Sequence, residues 1–281
     1  MNIQLGFFGA AGNVTGSRYC LRANGQNILI DCGLYQEHNL KGRNWEEFFL
    51  HPSKIDAVVL THAHLDHCGL LPKLVREGFR GKVYCNSATA EIVKIVLQDS
   101  ARINQEDAEF KRRRHERENR KSKYPPVPLY TEEDALATFP LFFTWNRKEP
   151  LVIGEGIELE FIEVAHILGA SSLRITVTQG VEKRSIVFSG DIGRWDMPIL
   201  RDPAPIGPAD YVITESTYGD RVHGSQGSIA DELAKIVNET RAAGGNIIIP
   251  SFAIERTQEL LYFLSQLLKD DKIPHLQIFV D

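Results

Sequence analysis

Residues 61–67 read THAHLDH and bring three of the chain's nine histidines next to one carboxylate. Apolar residues come directly before this histidine segment and predict a strand, so the segment begins where a strand ends. From such a turn, His62 and His64 can converge on one metal ion, while Asp66 and His67 face a second ion. Imidazole and carboxylate ligands suit zinc. A merely polar loop would need several separate partners for three buried neutral imidazoles, so the segment predicts a site for two metal ions.

Such a site needs ligands from elsewhere in the chain, because neighbouring residues alone cannot complete two tetrahedral shells. His166 follows a predicted strand at residues 157–164, and Asp191 follows another at residues 185–188. Taken alone, a histidine after a strand is more often structural, and an aspartate beside glycine is typical of a turn. Beside the histidine segment we expect both to be ligands, with the carboxylate of Asp191 bridging the two ions.

Asp31 ends a third predicted strand, residues 27–30, and is not needed as a ligand. We expect its carboxylate to accept a hydrogen bond from a ligand imidazole or a loop amide; a plain turn aspartate is the other interpretation. Cys32 and Cys68 adjoin the site, but small buried thiols in such positions are more often packed than bound to a metal.

Short segments rich in β-branched residues alternate with helical patterns along the chain, which predicts an α/β fold. The predicted strands are residues 3–7, 27–30, 57–60, 157–164, 173–177, 185–188, 211–214 and 246–249. The predicted helices are residues 88–103, 228–243 and 255–268, with a short helix after Thr131. Several strands end in a polar residue beside a turn, so the chemistry should lie along one edge of a sheet.

Two helix starts carry capping-box spacing, Ser228 with Asp231 and Thr131 with Asp134. A glycine pair predicts the end of the helix that begins after Ser228. That helix would lead into a buried strand at residues 246–249, so the last part of the chain is expected to be doubly wound α/β.

The composition is that of an ordinary globular protein, with 281 residues, 43% hydrophobic residues and a net charge of −5. No apolar run approaches the roughly eighteen residues of a spanning helix, and the N-terminus lacks the pattern of an export signal. Four cysteines without paired spacing predict a reduced, cytoplasmic protein with no membrane partner. The net acidity argues against a generally cationic nucleic-acid binder.

One local exception to this acidity is the basic run at residues 111–123, KRRRHERENRKSK, which carries a net charge of +6. The run is either a solvated end of a helix or an arm that contacts phosphate groups. The proline-rich residues 124–128 that follow it cannot continue a helix.

Asp31, the HxHxDH pattern at residues 62–67, His166 and Asp191 occur in this order, each at a predicted strand end. In this the sequence resembles the metallo-β-lactamase superfamily, which implies an αββα sandwich with a dinuclear zinc site. The ligands of one zinc ion would be His62, His64 and His166, and those of the other Asp66, His67 and Asp191. A later histidine of the family pattern has no counterpart, since only His223 and His275 follow and neither context matches.

A narrower resemblance explains the missing histidine. Residues 214–221, TESTYGDR, look like the first motif of the β-CASP nucleases, and residues 249–260, IPSFAIERTQEL, are similar to the start of their inserted domain. The resemblance implies a metallo-β-lactamase domain at residues 1–219 and the beginning of a β-CASP α/β domain at residues 220–281. We therefore expect an N-terminal portion of a longer protein, most similar to the prokaryotic ribonucleases related to the polyadenylation-factor endonuclease.

The chemistry implied is hydrolysis of phosphodiester bonds in RNA, with single-stranded RNA as the expected substrate. Two zinc ions would lower the pKa of a shared water toward about 7 and clamp the attacking and leaving oxygens. Asp66 would orient that nucleophile. Glu215 would help to protonate the departing ribose oxygen, although a local hydrogen bond at a strand end is its simpler role. Ser251 and Arg256 would face the substrate phosphate from a helix N-terminus, unless Arg256 is an ordinary exposed arginine.

Two other functions stay open at this point. A lactamase-fold thioesterase or glyoxalase shares the metal ligands but lacks the motifs around Glu215 and Ser251. A non-catalytic or truncated scaffold member of the family is the second alternative, and we expect residues 1–281 alone not to turn over substrate without the later histidine. The ligand set would also accept manganese or iron, and DNA as substrate and a homodimer are left open.

Overall fold

The computed structural model describes residues 1–119, 126–147, 149–222 and 228–280. Two compact units are present, Met1–Trp195 with Asp202–Thr217 and Asp196–Arg201 with Tyr218–Asp281. The first unit holds two β-sheets with their helices, and the second holds two helices. Among the described residues no helix combines the length and the apolar character needed to cross a membrane.

The first sheet has six strands in the spatial order of the chain. They are β1 (Ile3–Gly9), β2 (Arg18–Ala23), β3 (Gln26–Ile30), β4 (Ala57–Val59), β5 (Lys82–Cys85) and β6 (Phe142–Thr144). The first three pair antiparallel, and β3 to β6 pair parallel. Parallel neighbours need crossover connections. Residues 31–56 connect β3 to β4 without an α-helix, α1 (Leu65–Cys68) and α2 (Leu71–Arg76) connect β4 to β5, and α3 (Ser87–Glu118) and α4 (Glu132–Thr138) connect β5 to β6. Short 3₁₀ turns lie at Lys41–Trp45, Pro52–Lys54 and Phe139–Leu141.

The second sheet has five strands. They are β7 (Leu151–Gly154), β8 (Ile157–Glu163), β9 (Ser171–Gln179), β10 (Glu182–Phe188) and β11 (Tyr211–Ile213), with β11 and β7 at the two edges. Only β10 and β11 pair parallel; the other neighbours pair antiparallel. This sheet therefore forms mostly from local hairpins.

The core lies between the two sheets. Alternate residues of a strand face the same side, and one cluster joins Ile28 and Val59 of the first sheet to Leu159, Ile175 and Phe188 of the second. The predicted α/β sandwich is confirmed.

The faces of the two sheets that point away from the core differ in burial. On the first sheet Leu29 and Val58, which alternate with core residues, are fully buried, so that face is covered by the crossover helices. On the second sheet the corresponding positions include charged residues, and Lys183 pairs with Glu158 at 3.6 Å. That face is the polar side expected of an antiparallel sheet.

Sequence patterning missed β2, β5, β6 and β7. Three of these strands are only three or four residues long, too short for an alternating pattern to stand out. In β2 the pattern is interrupted because Arg18 is buried.

Helix α3 is longer than predicted, since it runs to Glu118 rather than ending near residue 103. Ion pairs one turn apart support this extension, including Arg113 with Glu109 at 2.7 Å and Arg114 with Glu118 at 3.0 Å. The helix ends at Asn119, which adopts a left-handed conformation with φ of 48°. The rest of the basic run and the start of the proline-rich stretch, residues 120–125, lie outside the described residues.

The second unit contains α5 (Ile229–Ala242) and α6 (Arg256–Lys269), which pack through a small apolar cluster that includes Leu233, Val237 and Leu267. The predicted N-cap of α5 is confirmed, because Ser228 Oγ accepts a hydrogen bond from Asp231 N. The buried strand predicted at residues 246–249 is wrong. These residues form no strand, and Ile248 is 88% exposed. An apolar run makes a strand only where a neighbouring strand pairs with it, and the described part of this unit offers none.

The loop between β1 and β2 is held by Glu37. Its Oε1 accepts hydrogen bonds from Val14 N at 2.9 Å and Thr15 N at 3.1 Å, and its Oε2 accepts one from Thr15 Oγ1. These bonds outweigh the effect of burial and hold the pKa of Glu37 at about 2. The ionised carboxylate therefore orders this loop.

We predict that Phe188→Ala lowers the free energy of unfolding by about 3–5 kcal/mol, because it opens a cavity in the core between the sheets. Phe188 is only 1% exposed and is a member of that core cluster. Urea unfolding followed by circular dichroism measures the loss. The control is Val181→Ala at a fully exposed turn position, which should change stability by less than about 0.5 kcal/mol. Equal effects of the two substitutions would contradict this assignment of the core.

We also predict that the loop at residues 10–16 loosens in acid. A carboxyl whose folded pKa is depressed stabilises structure above its unfolded value of about 4.3, and this contribution is lost as the pH falls toward 2. Hydrogen exchange should show declining protection of the Val14 and Thr15 amides between pH 5 and pH 2.5. In Glu37→Gln the protection should be low at both pH values, and an unchanged pH response in that variant would refute the role of Glu37.

Candidate metal centre

The candidate metal centre lies at one edge of the sandwich, where loops follow the carboxyl ends of strands. Asp31 follows β3, the histidine segment follows β4, His166 follows β8 and Asp191 follows β10. Strands β3 and β4 run parallel, and β8 and β10 both run antiparallel to β9. A hydrogen bond from Ser171 N to Thr61 O, 2.9 Å long, joins the two sheets at this edge.

Four side chains converge on one point. The ligand atoms of His62, His64, His166 and Asp191 all lie within 4.8 Å of one another. Nδ1 of His64 is 3.0 Å from His62 Nε2 and 3.1 Å from His166 Nε2. Three imidazoles and a carboxylate so close together form a donor set of the kind that binds zinc in tetrahedral geometry.

A second group of side chains adjoins the first. His67 Nε2 is 3.7 Å from Asp66 Oδ2 and 3.2 Å from Asp191 Oδ1. The other oxygen of Asp191, Oδ2, lies 3.4 Å from His166 Nε2. One carboxylate therefore reaches both groups, which is the geometry required of a bridging ligand. The structure thus brings together all six side chains that the sequence singled out as ligands, and their role as ligands stays a prediction.

Asp31 lies directly beneath the histidine segment and is 1% exposed. Its Oδ2 accepts a hydrogen bond from His67 Nδ1 at 2.7 Å, and its Oδ1 accepts one from Thr61 N at 2.8 Å. Its backbone has a φ of 56°, a left-handed conformation that is strained for a residue other than glycine. The contacts that hold this turn favour a supporting role over that of a plain turn aspartate.

Thr61 is a functional residue that sequence reasoning missed. Its Oγ1 lies 2.9 Å from both Asp31 Oδ2 and His62 Nδ1. When the hydroxyl donates to Asp31, its lone pair accepts the Nδ1 proton of His62, which leaves Nε2 of His62 free to face the cluster. The available signal was a hydroxyl between a buried strand and the first histidine.

The electrostatics of the site divide the histidines into two kinds. Burial, aided by neighbouring imidazoles, lowers the pKa of His62 well below its ordinary value, and burial also lowers that of His64. These two imidazoles are neutral, as ligands must be. Burial acts in the same direction on His67, but Asp31 and Asp191 outweigh it and raise its pKa well above the ordinary value.

The carboxylates beside His67 respond in opposite ways. Burial tends to raise the pKa of Asp191, yet the hydrogen bond and charge of His67 overcome it and lower that pKa to about 2. For Asp66 burial prevails and raises the pKa. The carboxyl of Asp66 is therefore protonated more readily than that of Asp191.

The two cysteines next to the site are packed inside the fold. Cys32 and Cys68 are fully buried. Burial raises the pKa of Cys32 to about 12 and that of Cys68 well above its ordinary range. Cys68 Sγ lies 3.4 Å from the carbonyl oxygen of Ala63. Neutral buried thiols support the expectation that neither side chain is a metal ligand.

Glu215 follows β11 and braces the loop that carries Asp191. Its Oε1 accepts a hydrogen bond from Ile192 N at 2.7 Å, and its own N–H donates to Ser189 Oγ at 3.1 Å. The observed contacts are those of a local hydrogen bond, and the catalytic role stays a prediction.

Ser251 and Arg256 belong to the second unit. Ser251 Oγ lies 3.3 Å from Thr257 Oγ1, and Arg256 Nη1 donates to Glu259 Oε2 at 2.7 Å. Their role in substrate binding stays a prediction. Of the two later histidines, His275 is exposed in this unit, and His223 lies outside the described residues.

The chain has recognisable relatives. The model of the metallo-beta-lactamase superfamily matches residues 12–244. Ribonuclease TTHA0252 of Thermus thermophilus is 37% identical over 279 residues, an alignment that covers 98% of this chain and 57% of that protein. Transcription termination factor FttA of Methanosarcina mazei is 28% identical, covering 99% of this chain and 42% of the relative. Cleavage and polyadenylation specificity factor 73 of Drosophila melanogaster is 29% identical, covering 94% and 36%.

The chain spans between 36% and 57% of the length of these relatives. They are β-CASP proteins, which confirms the narrower resemblance drawn from residues 214–221 and 249–260. The superfamily model covers far more than half of the sequence, from the loop after β1 to the end of α5. This chain therefore belongs to the metallo-beta-lactamase superfamily.

Proposed function

We propose that this chain carries the catalytic centre of a zinc-dependent hydrolase that cleaves phosphodiester bonds in single-stranded RNA. The observation that carries the proposal is the convergence of His62, His64, His166 and Asp191, whose ligand atoms all lie within 4.8 Å of one another. Asp191 turns its other oxygen toward His67 at 3.2 Å, so a second ion next to the first has a ready set of donors.

The residues present fit two divalent ions. His62, His64, His166 and Asp191 supply the donors for one ion, and Asp66, His67 and Asp191 supply those for the other. The hydrogen bonds from His67 Nδ1 to Asp31 and from His62 Nδ1 to Thr61 leave Nε2 of both rings available. Zinc suits this mixture of imidazole and carboxylate, and manganese or iron could replace it.

Two divalent ions held there supply Lewis acidity for the attack of water on a phosphodiester. Asp66 is suited to orient the attacking water, because its carboxylate lies in the second group of donors, 3.7 Å from His67 Nε2. Asp191 stays ionised because His67 lowers its pKa to about 2. Glu215 braces the loop after Asp191, and we assign it a part in proton delivery to the departing ribose oxygen.

RNA as the substrate is supported by the names of the relatives. They include a ribonuclease and a cleavage and polyadenylation specificity factor. The β-CASP motifs around Glu215 and Ser251 argue against a thioesterase or glyoxalase. We assign Ser251 and Arg256 to contacts with a substrate phosphate. A cytoplasmic location fits the four free cysteines, all of which are buried.

We predict that Asp66→Asn and Asp191→Asn each reduce RNA cleavage by at least about 100-fold, since each removes a charged donor from the centre. The measurement uses the full-length gene product that carries this segment, zinc, and an unstructured RNA labelled at both ends. The matched control is Asp99→Asn, at an exposed aspartate on α3 that pairs with Arg102, which should leave cleavage unchanged.

Metal content separates the proposal from its main alternative. We expect plasma mass spectrometry to find two zinc ions per chain, and we expect cleavage to depend on Asp66. A folded protein that binds two zinc ions but cuts neither RNA nor DNA would overturn the nuclease assignment and favour a scaffold. Cleavage of DNA in preference to RNA would overturn the substrate class alone.

We predict that Thr61→Val weakens zinc binding by about 10–100-fold while the fold is kept, because valine has the shape of threonine but cannot orient His62. Competition with a chromophoric zinc chelator measures the affinity, and urea unfolding checks stability. The control is Thr178→Val, on β9 in the second sheet. Equal zinc affinities in the two variants would show that the Thr61 hydroxyl does not position the ligand.

A further inference from the structure

A cavity of about 280 Å³ lies in the first unit, outside the side chains assigned to the metal centre. Its walls come from the end of β1, the loop after it, the first residue of β2 and the segment around the 3₁₀ turn at Lys41–Trp45. The lining includes Phe7, Asn13, Arg18, Arg43, Glu47 and Phe49. We call this cavity the Arg18 pocket.

Arg18 is unusual in this lining because it is a charged residue that is almost fully buried. The residue is only 8% exposed, and its Nε is buried with no hydrogen-bond partner in the part of the chain that the structure describes. Its guanidinium carbon lies 5.1 Å from the centre of the Tyr35 ring and 5.9 Å from that of Phe48. Aromatic faces stabilise the charge, but they leave the N–H donor unsatisfied, which is costly in a buried place. Arg18 also lines the pocket, so a ligand there would meet the part of the guanidinium that the pocket exposes.

The charges around the pocket balance. Arg43 also lies over Tyr35, with its guanidinium carbon 4.5 Å from the ring centre. It is partly exposed and lies 3.7 Å from Glu46, and Glu47 adds a second carboxylate to the lining. Two guanidinium groups and two carboxylates give no net charge. A phosphate group would meet as much repulsion as attraction, so the pocket favours a ligand that both accepts and donates hydrogen bonds.

The walls of the pocket are suited to a flat ring. Phe49 stacks on Phe8, with ring centres 3.4 Å apart, and Phe7 is 53% exposed although it lies in a strand. Exposed aromatic rings and guanidinium planes are the surfaces on which single-stranded bases stack. Guanine presents O6 and N7 acceptors that an arginine fork matches bidentately, together with N–H donors that a carboxylate accepts.

The pocket is joined to the metal centre through the backbone. Ser17, directly before Arg18, donates its N–H to the Asp66 carbonyl at 2.8 Å and accepts one from Gly33 at 2.9 Å. Gly33 permits this approach, because a Cβ there would lie 1.6 Å from the Asp66 carbonyl oxygen. Arg18 therefore comes directly after a residue that is hydrogen-bonded to the segment carrying Asp66. The loop that carries Asn13 is held in place by Glu37.

We propose that the Arg18 pocket binds a guanine base of the single-stranded RNA that is cut at the metal centre. This inference rests on the proposed function. Arg18 and Arg43 would donate to O6 and N7, Glu47 would accept from the N1 and N2 hydrogens, and Phe7 would stack on the ring. The pocket would make cleavage depend on a guanine at a fixed distance from the cut.

The first test is binding of mononucleotides to the full-length protein without added metal, which does not depend on catalysis. Isothermal titration should give GMP an affinity at least 10-fold above those of AMP, CMP and UMP. Arg18→Lys keeps the charge but loses the fork, and it should remove this preference. Arg43→Gln, at a more exposed site, should weaken GMP binding at least 3-fold and serves if Arg18→Lys fails to fold. Equal affinities for the four nucleotides would overturn the proposal.

The second test separates the pocket from the proposed function. RNAs that differ only by guanine or adenine at single positions are compared for cleavage, with Lys94→Gln on the exposed side of α3 as the control. We expect one position at which guanine, compared with adenine, speeds cleavage at least 10-fold. This effect should be present in the parent protein and in the control variant but absent in Arg18→Lys. Cleavage without any base preference would refute the pocket and leave the nuclease standing. GMP binding without RNA cleavage would refute the nuclease assignment and leave the pocket as a guanine-binding site.

Discussion

The buried carboxylate of Asp31 is the interaction on which the rest of the site depends. It stands at the end of β3 in a left-handed conformation and accepts hydrogen bonds from the backbone and hydroxyl of Thr61 and from the ring of His67. Each bond fixes something different. The bond from Thr61 N sets the start of the histidine segment, the hydroxyl selects the tautomer of His62, and the bond from His67 turns its Nε2 toward Asp191. The side chain of Asp31 thus orients histidines in both groups of candidate metal ligands.

Backbone hydrogen bonds on either side of Asp31 fix the position of its carboxylate. The segment after Asp31 pairs with the histidine segment through Cys32 N to His67 O at 2.7 Å and Leu34 N to Leu65 O at 2.9 Å. Gly33 between them has no side chain, which lets Ser17, the residue before β2, approach from the other side. These contacts connect the residue before Arg18 to the segment that carries Asp66. A base-binding role for the Arg18 pocket and the chemistry of the centre thus share one rigid frame.

The sequence predicted the fold class and singled out side chains that the structure brings together, but it missed several of the strands around them. Candidate metal ligands are few in type and follow strand ends, so the histidine segment, His166 and Asp191 could be singled out from the sequence. Thr61 is a common residue, and its contacts with Asp31 and His62 are seen only in the structure. Periodicity failed for a different reason. Residues 246–249 have the composition of a buried strand, but pairing depends on a partner that composition does not reveal. Helix α3 is longer than the apolar periodicity predicted, because ion pairs rather than an apolar face support its second half.

The opposite behaviour of the histidines follows from where the carboxylates lie. Burial and the neighbouring imidazoles keep His62 neutral, and burial lowers the pKa of His64 although Asp66 and Asp191 act in the opposite direction. His67 lies between Asp31 and Asp191 and binds a proton. That proton occupies the side of His67 that faces Asp191, where a metal ion would replace it. With Asp31, Asp66 and Asp191 ionised, two divalent ions would give the centre a net charge of +1, which would attract an anionic phosphodiester. In the proposed base-binding role, the neutral lining of the Arg18 pocket would recognise the base rather than the backbone.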